Sequence, residues 1–266
     1  MSRPVAPYQR FLDLHRPGQP LLLPNPWDRG SASILASLGF QALATTSSGF
    51  AATLGRPDGS VALDEALLHA EAIVTATDLP VSADLENCFA DDAGGVAHTV
   101  RLAAETGLAG CSIEDFSGRR LYDRAEATDR VAAAVSAARD GGLVLTARAE
   151  NYLRGNPDLA DTIARLQAYQ EAGADVLYAP GLTSLADIRA VVSSVDRPVN
   201  VLAQPGVPPA AELAEAGVAR ISVGGAFAFA ALSALVDAAT ELRDRGTYGF
   251  QAAAAAGRAA TRAAFG

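Results

Sequence analysis

Acidic residues follow one apolar run after another along this chain. Asp84 and Glu86 come just after the run at 79–81, Glu114 and Asp115 follow 109–113, and Arg148 and Glu150 follow 143–147. In a parallel α/β protein the C-terminal ends of the strands share one rim, so residues distant in sequence meet there. Oxygen donors in that position suit a hard divalent cation such as Mg²⁺, which retains several waters and contacts only a few carboxylates. Asp84, Glu86 and Glu114 are therefore the candidate metal residues, with Mg²⁺ the expected ion and Mn²⁺ the other candidate. A single carboxylate would more simply cap a helix or pair with an arginine; three on neighbouring strand ends outweigh that reading. Arg148 offers a planar guanidinium that fits a carboxylate in bidentate fashion. It is the candidate for holding an anionic substrate, with Glu150 orienting it.

What the chain lacks narrows the chemistry further. It contains no lysine, so all 21 basic residues are arginine. Schiff-base and pyridoxal-phosphate chemistry need a side-chain amine and are excluded. His15, His69 and His98 fall in predicted helices, against a histidine-rich zinc site. Cys88 and Cys111 are the only cysteines and are expected to be buried thiols, Cys88 lying closer to the rim. A net charge of -9 argues against a nucleic-acid partner. The first 16 residues contain no apolar signal region, and the apolar runs are too short to span a membrane. The expectation is a cytoplasmic protein that binds neither nucleic acid nor membrane.

The positioning elements are legible as a rhythm. Short apolar runs at 21–24, 42–46, 79–83, 109–113, 143–147, 176–179, 199–203 and 220–223 predict strands buried on both faces. Helical patterns at 31–38, 63–77, 96–105, 124–139, 159–172, 185–193, 210–216 and 227–242 alternate with them. Eight βα units with short connections predict a single (β/α)8 barrel domain spanning 1–266. Residues 1–19 form an N-terminal extension, where a helix over 7–15 could cover the barrel bottom. The Ala-rich stretch at 248–266 predicts a terminal helix with few large apolar residues. Such a helix is marginal alone, so it is expected on the barrel wall or on another subunit of an oligomer. The loop Thr45-Thr46-Ser47-Ser48-Gly49-Phe50 could bring backbone N–H groups close to an anion. Asp58, in Arg56-Pro57-Asp58-Gly59, is by itself an ordinary turn aspartate.

Several motifs, in order, carry a resemblance. They are Pro24-Asn25-Pro26-Trp27-Asp28, Thr46-Ser47-Ser48-Gly49-Phe50, Pro57-Asp58-Gly59, Ala83-Asp84-Leu85-Glu86-Asn87, Ser112-Ile113-Glu114-Asp115, Ala147-Arg148-Ala149-Glu150 and Arg220-Ile221-Ser222-Val223-Gly224. Together they resemble the isocitrate lyase/phosphoenolpyruvate mutase superfamily over most of the chain. The resemblance implies a TIM barrel whose last helix is exchanged between subunits of a homodimer or homotetramer. It also implies Mg²⁺ and a small 2-oxo or 2-hydroxy carboxylate substrate. By position, Asp84, Glu86 and Glu114 would form the metal shell, and Asp58 would lie near the reacting group. Arg148 would hold an anionic end of the substrate, and Ser48, Gly49 and Phe50 would line its pocket. The implied chemistry is phosphonomutase-like cleavage of a C–C or P–C bond, by a lyase or hydrolase, through a metal-stabilised enolate.

Isocitrate and methylisocitrate lyases of that superfamily carry a Lys-Lys-Cys-Gly-His type of segment after strand four. Here the segment reads Phe116-Ser117-Gly118-Arg119-Arg120-Leu121-Tyr122-Asp123, without a cysteine. Arg119, Arg120 and Tyr122 could supply charge or a proton, although a solvated loop is the simpler expectation. Two further readings stay open at this level: a metal-dependent aldolase or hydroxymethyltransferase on 2-oxo acids, and a non-catalytic barrel that binds a 2-oxo acid.

Overall fold

The computed structural model describes residues 6–266. Eight parallel strands and the helices between them form the (β/α)8 barrel that the βα rhythm predicts. The strands are β1 (Leu21–Leu23), β2 (Leu43–Ala44), β3 (Val81–Asp84), β4 (Gly110–Glu114), β5 (Val144–Arg148), β6 (Val176–Tyr178), β7 (Val199–Leu202) and β8 (Arg220–Ser222). Their hydrogen-bonded order is β1-β8-β7-β6-β5-β4-β3-β2. The seam between β1 and β2 is closed just above the strands. The Ala44 amide donates to the Pro24 carbonyl at 3.1 Å, and Asn25 Nδ2 donates to the Thr45 carbonyl at 2.9 Å.

Helices α1 (Pro7–Asp13), α2 (Arg29–Ser37), α3 (Ser47–Thr53), α4 (Leu63–Val74), α5 (Ala93–Glu105) and α6 (Arg124–Gly141) belong to the first half. The second half contributes α7 (Leu159–Glu171), α8 (Leu185–Ser193), α9 (Ala210–Glu215), α10 (Ala226–Arg245) and α11 (Gln251–Phe265). Most of the apolar core lies between the sheet and these helices, as parallel strands covered on both faces require. A second, smaller cluster closes the barrel bottom. There α1 inserts Phe11, fully buried, among Ala109, Val144 and Val176. Gly110 makes this possible: a Cβ on it would stand 2.7 Å from the Val144 carbonyl and 3.0 Å from the Phe11 ring. The N-terminal segment is thus a plug, and its first five residues lie outside the described ones.

The structure departs from the sequence reading in two places. The segment after β2 is not a loop but the short helix α3, capped by Thr46, whose side chain accepts from the Gly49 amide at 3.3 Å. His15 lies past the end of α1, not in a helix. The terminal helix α11 packs on α2 of its own chain, one of the two positions expected for it, with the Phe265 ring near Gly30. Helix α10 buries only Ala228 and turns Phe229, Leu232, Leu235 and Val236 outward. No helix among the described residues is long and apolar enough to cross a membrane.

Candidate active site

The barrel mouth holds two adjoining cavities of about 250 and 380 Å³. The inner one descends between the strands and is lined by Asn25, Asp84, Glu114, Arg148, Tyr178 and Arg220 among others. The outer one is bounded by Gly59, Glu86, Asn87, Phe116 and Gly118. Ser47, Asp58, Glu114 and Arg154 border both.

Arg148, the last residue of β5, occupies the centre. Its Nη1 lies 3.1 Å from Asp84 Oδ1, its Nη2 2.9 Å from Glu114 Oε1 and its Nε 2.8 Å from Glu150 Oε1. The strand register dictates this meeting, since Glu114 pairs with Arg148 across β4 and β5. Burial alone would depress the guanidinium's pKa, but Glu114, Glu150 and Asp84 outweigh it and push the pKa well above the ordinary value. Burial raises the Glu114 carboxyl well above the carboxylate range despite Arg148, with Glu150 and Asp84 adding repulsion. Glu150 is raised for the same first reason, and Arg148 and Arg154 oppose it.

A buried network positions these groups. Asp115 accepts from Tyr169 Oη at 2.6 Å, Arg165 Nη1 at 3.0 Å and the Glu150 amide at 2.8 Å. It thereby ties the end of β4 to α7 and to the turn after β5. Asp84 accepts from Ser47 Oγ at 3.0 Å, and its amide donates to Thr45 Oγ1 at 2.9 Å. Glu86 sits in a loop where Glu86, Cys88 and Phe89 all adopt left-handed backbone, with φ of 50°, 62° and 51°. Each such non-glycine residue costs about 1 kcal/mol. Arg130 holds the loop by donating to the Asn87 and Ala90 carbonyls at 2.8 and 2.9 Å.

Among the described residues no three His, Cys, Asp or Glu side chains converge to clamp an ion together. The expected three-carboxylate shell is therefore not a closed cage, because Arg148 stands between Asp84 and Glu114. The charge balance nevertheless fits. When ionised, five carboxylates and three guanidiniums line the two cavities, leaving two negative charges. The deficit is concentrated near Glu86, whose pKa is raised to about 7 by burial first and then by Asp84 and Asp58. A Mg²⁺ ion that keeps most of its waters suits such a site.

This shift sets a sign for stability. A carboxyl raised in the fold stabilises it below its unfolded pKa and loses that contribution as pH rises through the folded value, here from about 4.5 to about 7. Without cation the Glu86 contribution is therefore gone at pH 8. Mg²⁺ at a hundredfold excess over Kd is expected to raise Tm by roughly 5–10 °C at pH 8. It should do much less at pH 5.5, where protons compete for Glu86. Scanning calorimetry with Mg²⁺ and with chelator checks this, and equal shifts at both pH values would refute it.

Some residues marked out by sequence lie elsewhere. Ser48 lines the inner cavity, but Gly49 and Phe50 do not. Gly49 is a packing residue: a Cβ there would meet Thr46 at 2.6 Å and Ala228 at 3.2 Å. Phe50 stacks on the His69 ring at 3.8 Å. Beyond Gly118 the loop after β4 turns away. Arg120 pairs with Glu126 at 2.9 Å, and Tyr122 is buried beneath Arg130. Cys88 and Cys111 are fully buried, and burial pushes the Cys111 thiol up to about 12.

Other site residues carried no recognisable role in the sequence: Asn25, Arg154, Tyr178, Asn200 and Arg220. Asn25 Oδ1 accepts from the Val223 and Gly224 amides, joining β8 to the seam. Its place in the Pro24-Asn25-Pro26 motif was the available signal. Asn200 Oδ1, Arg220 Nε and Glu150 Oε2 are buried with no hydrogen-bond partner among the described residues, and all three side chains border the inner cavity. Polar atoms so placed are costly unless a ligand or water satisfies them.

With the barrel and its rim in hand, comparison with known proteins is specific. The chain matches the phosphoenolpyruvate phosphomutase family over residues 11–243 and belongs to that family. It is 32% identical to the 2-methylisocitrate lyase of Escherichia coli (strain K12), a match covering 71% of this chain and 70% of that protein. A solved structure from Burkholderia cenocepacia J2315, provisionally described as a lyase/mutase, is 53% identical with a TM-score of 0.92. That match covers 96% of this chain and 94% of the other. Oxaloacetate acetylhydrolase in complex with its product oxalate is 25% identical with a TM-score of 0.83, covering 93% and 90%.

Proposed function

We propose that the protein is a Mg²⁺-dependent lyase or hydrolase that cleaves a C–C or P–C bond of a small 2-oxo acid. The observation that carries this reading is the meeting of Asp84, Glu86, Glu114 and Arg148 at one mouth, with Asp58 at the junction of the two cavities. Asp84, Glu86 and Glu114 are the residues to hold the ion, which when bound supplies Lewis-acid polarisation of a substrate carbonyl. With Asp84 and Glu114 holding the ion, Arg148 would keep Glu150 on its Nε and would have Nη1 and Nη2 for a substrate carboxylate. Ser47 and Ser48 offer hydroxyls to the same ligand. Among the described residues Asp58 has no cation partner; its Oδ1 accepts only from the Gly59 amide at 3.2 Å. That leaves it available to take a proton from water or substrate.

The absence of a cysteine in the loop after β4 separates this chain from cysteine acid–base chemistry. Cys111 cannot substitute, since it is buried within β4 and its thiol is held neutral. Oxalate bound in the acetylhydrolase supports testing oxaloacetate first. The reading also includes a single catalytic domain in a homodimer or homotetramer. The outward apolar row of α10 is the surface that assembly would cover, and sedimentation velocity reports it. The central experiment is Mg²⁺-dependent release of pyruvate or oxalate across a panel of 2-oxo acids and phosphonates. Turnover that needs the cation supports the proposal; no turnover of any member refutes it.

A further inference from the structure

Three guanidiniums border the two cavities, and they differ in what they have free to give. Arg148 has every nitrogen engaged by a carboxylate and is only 13% exposed. Arg220 is 4% exposed, with Nη1 toward His15 Nε2 and Nη2 toward Thr146 Oγ1, both at 3.2 Å. Arg154, in the turn after β5, is 37% exposed and touches carboxylates only through Nη2, at 3.5 Å to Glu114 and 3.6 Å to Glu150. Among the described residues its Nε and Nη1 have no partner. Its position is fixed by stacking instead: the guanidinium lies 3.9 Å over the centre of the Phe116 ring. Arg154 is thus preorganised by packing, loosely paired, and placed where both cavities meet.

We infer that Arg154 forms a second anion subsite and makes the enzyme selective for acids with a negatively charged group at each end. The inference rests on the proposed reading of the rim as a small-acid site. The near carboxylate belongs to Arg148. A distal carboxylate reaching toward the outer cavity meets the free Nε and Nη1 of Arg154 in charge-assisted geometry. Such a contact requires no buried ion pair to break, because both existing contacts lie beyond ordinary hydrogen-bond length. The two cavities, of about 250 and 380 Å³, adjoin at Arg154, so a chain held at Arg148 in the inner one can extend toward the outer one. Room for the longer acid is therefore present.

Calorimetric titration with Mg²⁺ present, using malate and its C4 amide, isolates the distal charge. The wild-type protein is expected to bind malate about tenfold more tightly than the amide, the effect of one charged hydrogen-bonded contact. In R154Q this preference should fall below about threefold while amide affinity stays within about twofold, and R154K should recover part of it. The Tm of both variants is read alongside, so that any loss from the weak Glu114 and Glu150 contacts of Arg154 is separated from the loss of the distal charge. A preference that survives in R154Q, or a wild type that prefers neither ligand or binds neither, overturns the inference. Turnover of the 2-oxo-acid panel is scored on the same samples. Its absence with the malate preference intact refutes the proposed reaction and leaves the subsite standing; the converse result does the opposite.

Discussion

Asp84→Asn is expected to lower Mg²⁺-dependent turnover roughly 1,000-fold, corresponding to about 4 kcal/mol of lost stabilisation. The substitution is nearly isosteric and can keep the contact with Ser47 Oγ, so the effect comes from charge. Asp84 is one of the two carboxylates that repel Glu86. Neutralising it removes part of the uncompensated negative charge that favours a divalent ion. Mg²⁺ affinity, read by calorimetry without substrate, should fall at least tenfold. The Glu86 carboxyl should simultaneously become more acidic, since its second-largest upward influence is gone. Folding should be little affected, because Arg148 retains Glu114 and Glu150. Unchanged Mg²⁺ affinity would remove Asp84 from the metal site.

Arg148→Met should cost stability as well as the contact with the substrate carboxylate. It leaves Asp84, Glu114 and Glu150 around a space with no positive charge, and Glu150 is completely buried. Removing one partner from a buried ionic cluster costs about 3–5 kcal/mol. For a chain of this size that lowers Tm by about 10 °C. The loss should depend on pH in a definite sense. Arg148 is the principal influence holding Glu114 and Glu150 down against burial. Without it both carboxyls are raised further, so the fold regains stability as pH falls through their raised folded values, fully so below the unfolded value, and loses it as pH rises. Urea unfolding should show a small deficit at pH 5 and the full deficit at pH 8, with Mg²⁺ restoring part of it. A deficit of less than about 1 kcal/mol at pH 8 would mean that Arg148 does not hold this cluster together.

Which parts of this arrangement were legible in the chain depends on the range of the forces involved. The eight strands and most helices were readable because hydrophobic periodicity is local: a strand buried on both faces must be apolar throughout, and a glycine must end many of the helices. The rim carboxylates were readable for a related reason, since parallel strands place their C-terminal ends together whatever the details. Helix α3 was missed because Thr46-Ser47-Ser48-Gly49 has the composition of a loop. Its Gly49 serves contact with Thr46 and Ala228, and Ala228 is far away in sequence. Arg154 gave no signal, as an isolated arginine reads the same on a solvated turn as beside a cavity; Arg220 stood in the run Arg220–Gly224, but nothing in that run placed its side chain against the cavity.

The sequence by itself determined the barrel, the oxygen-rich rim and the absence of lysine and loop-cysteine chemistry. These follow from residue type, from continuous apolar runs and from the helical period of 3.6, which neighbours in the chain enforce. Only the tertiary structure decided that Arg148 lies between the carboxylates, and that Arg154 keeps unpaired N–H groups where two cavities meet. Such pairings are set by strand register and by side-chain reach across the barrel mouth, and no local pattern in the chain encodes that distance.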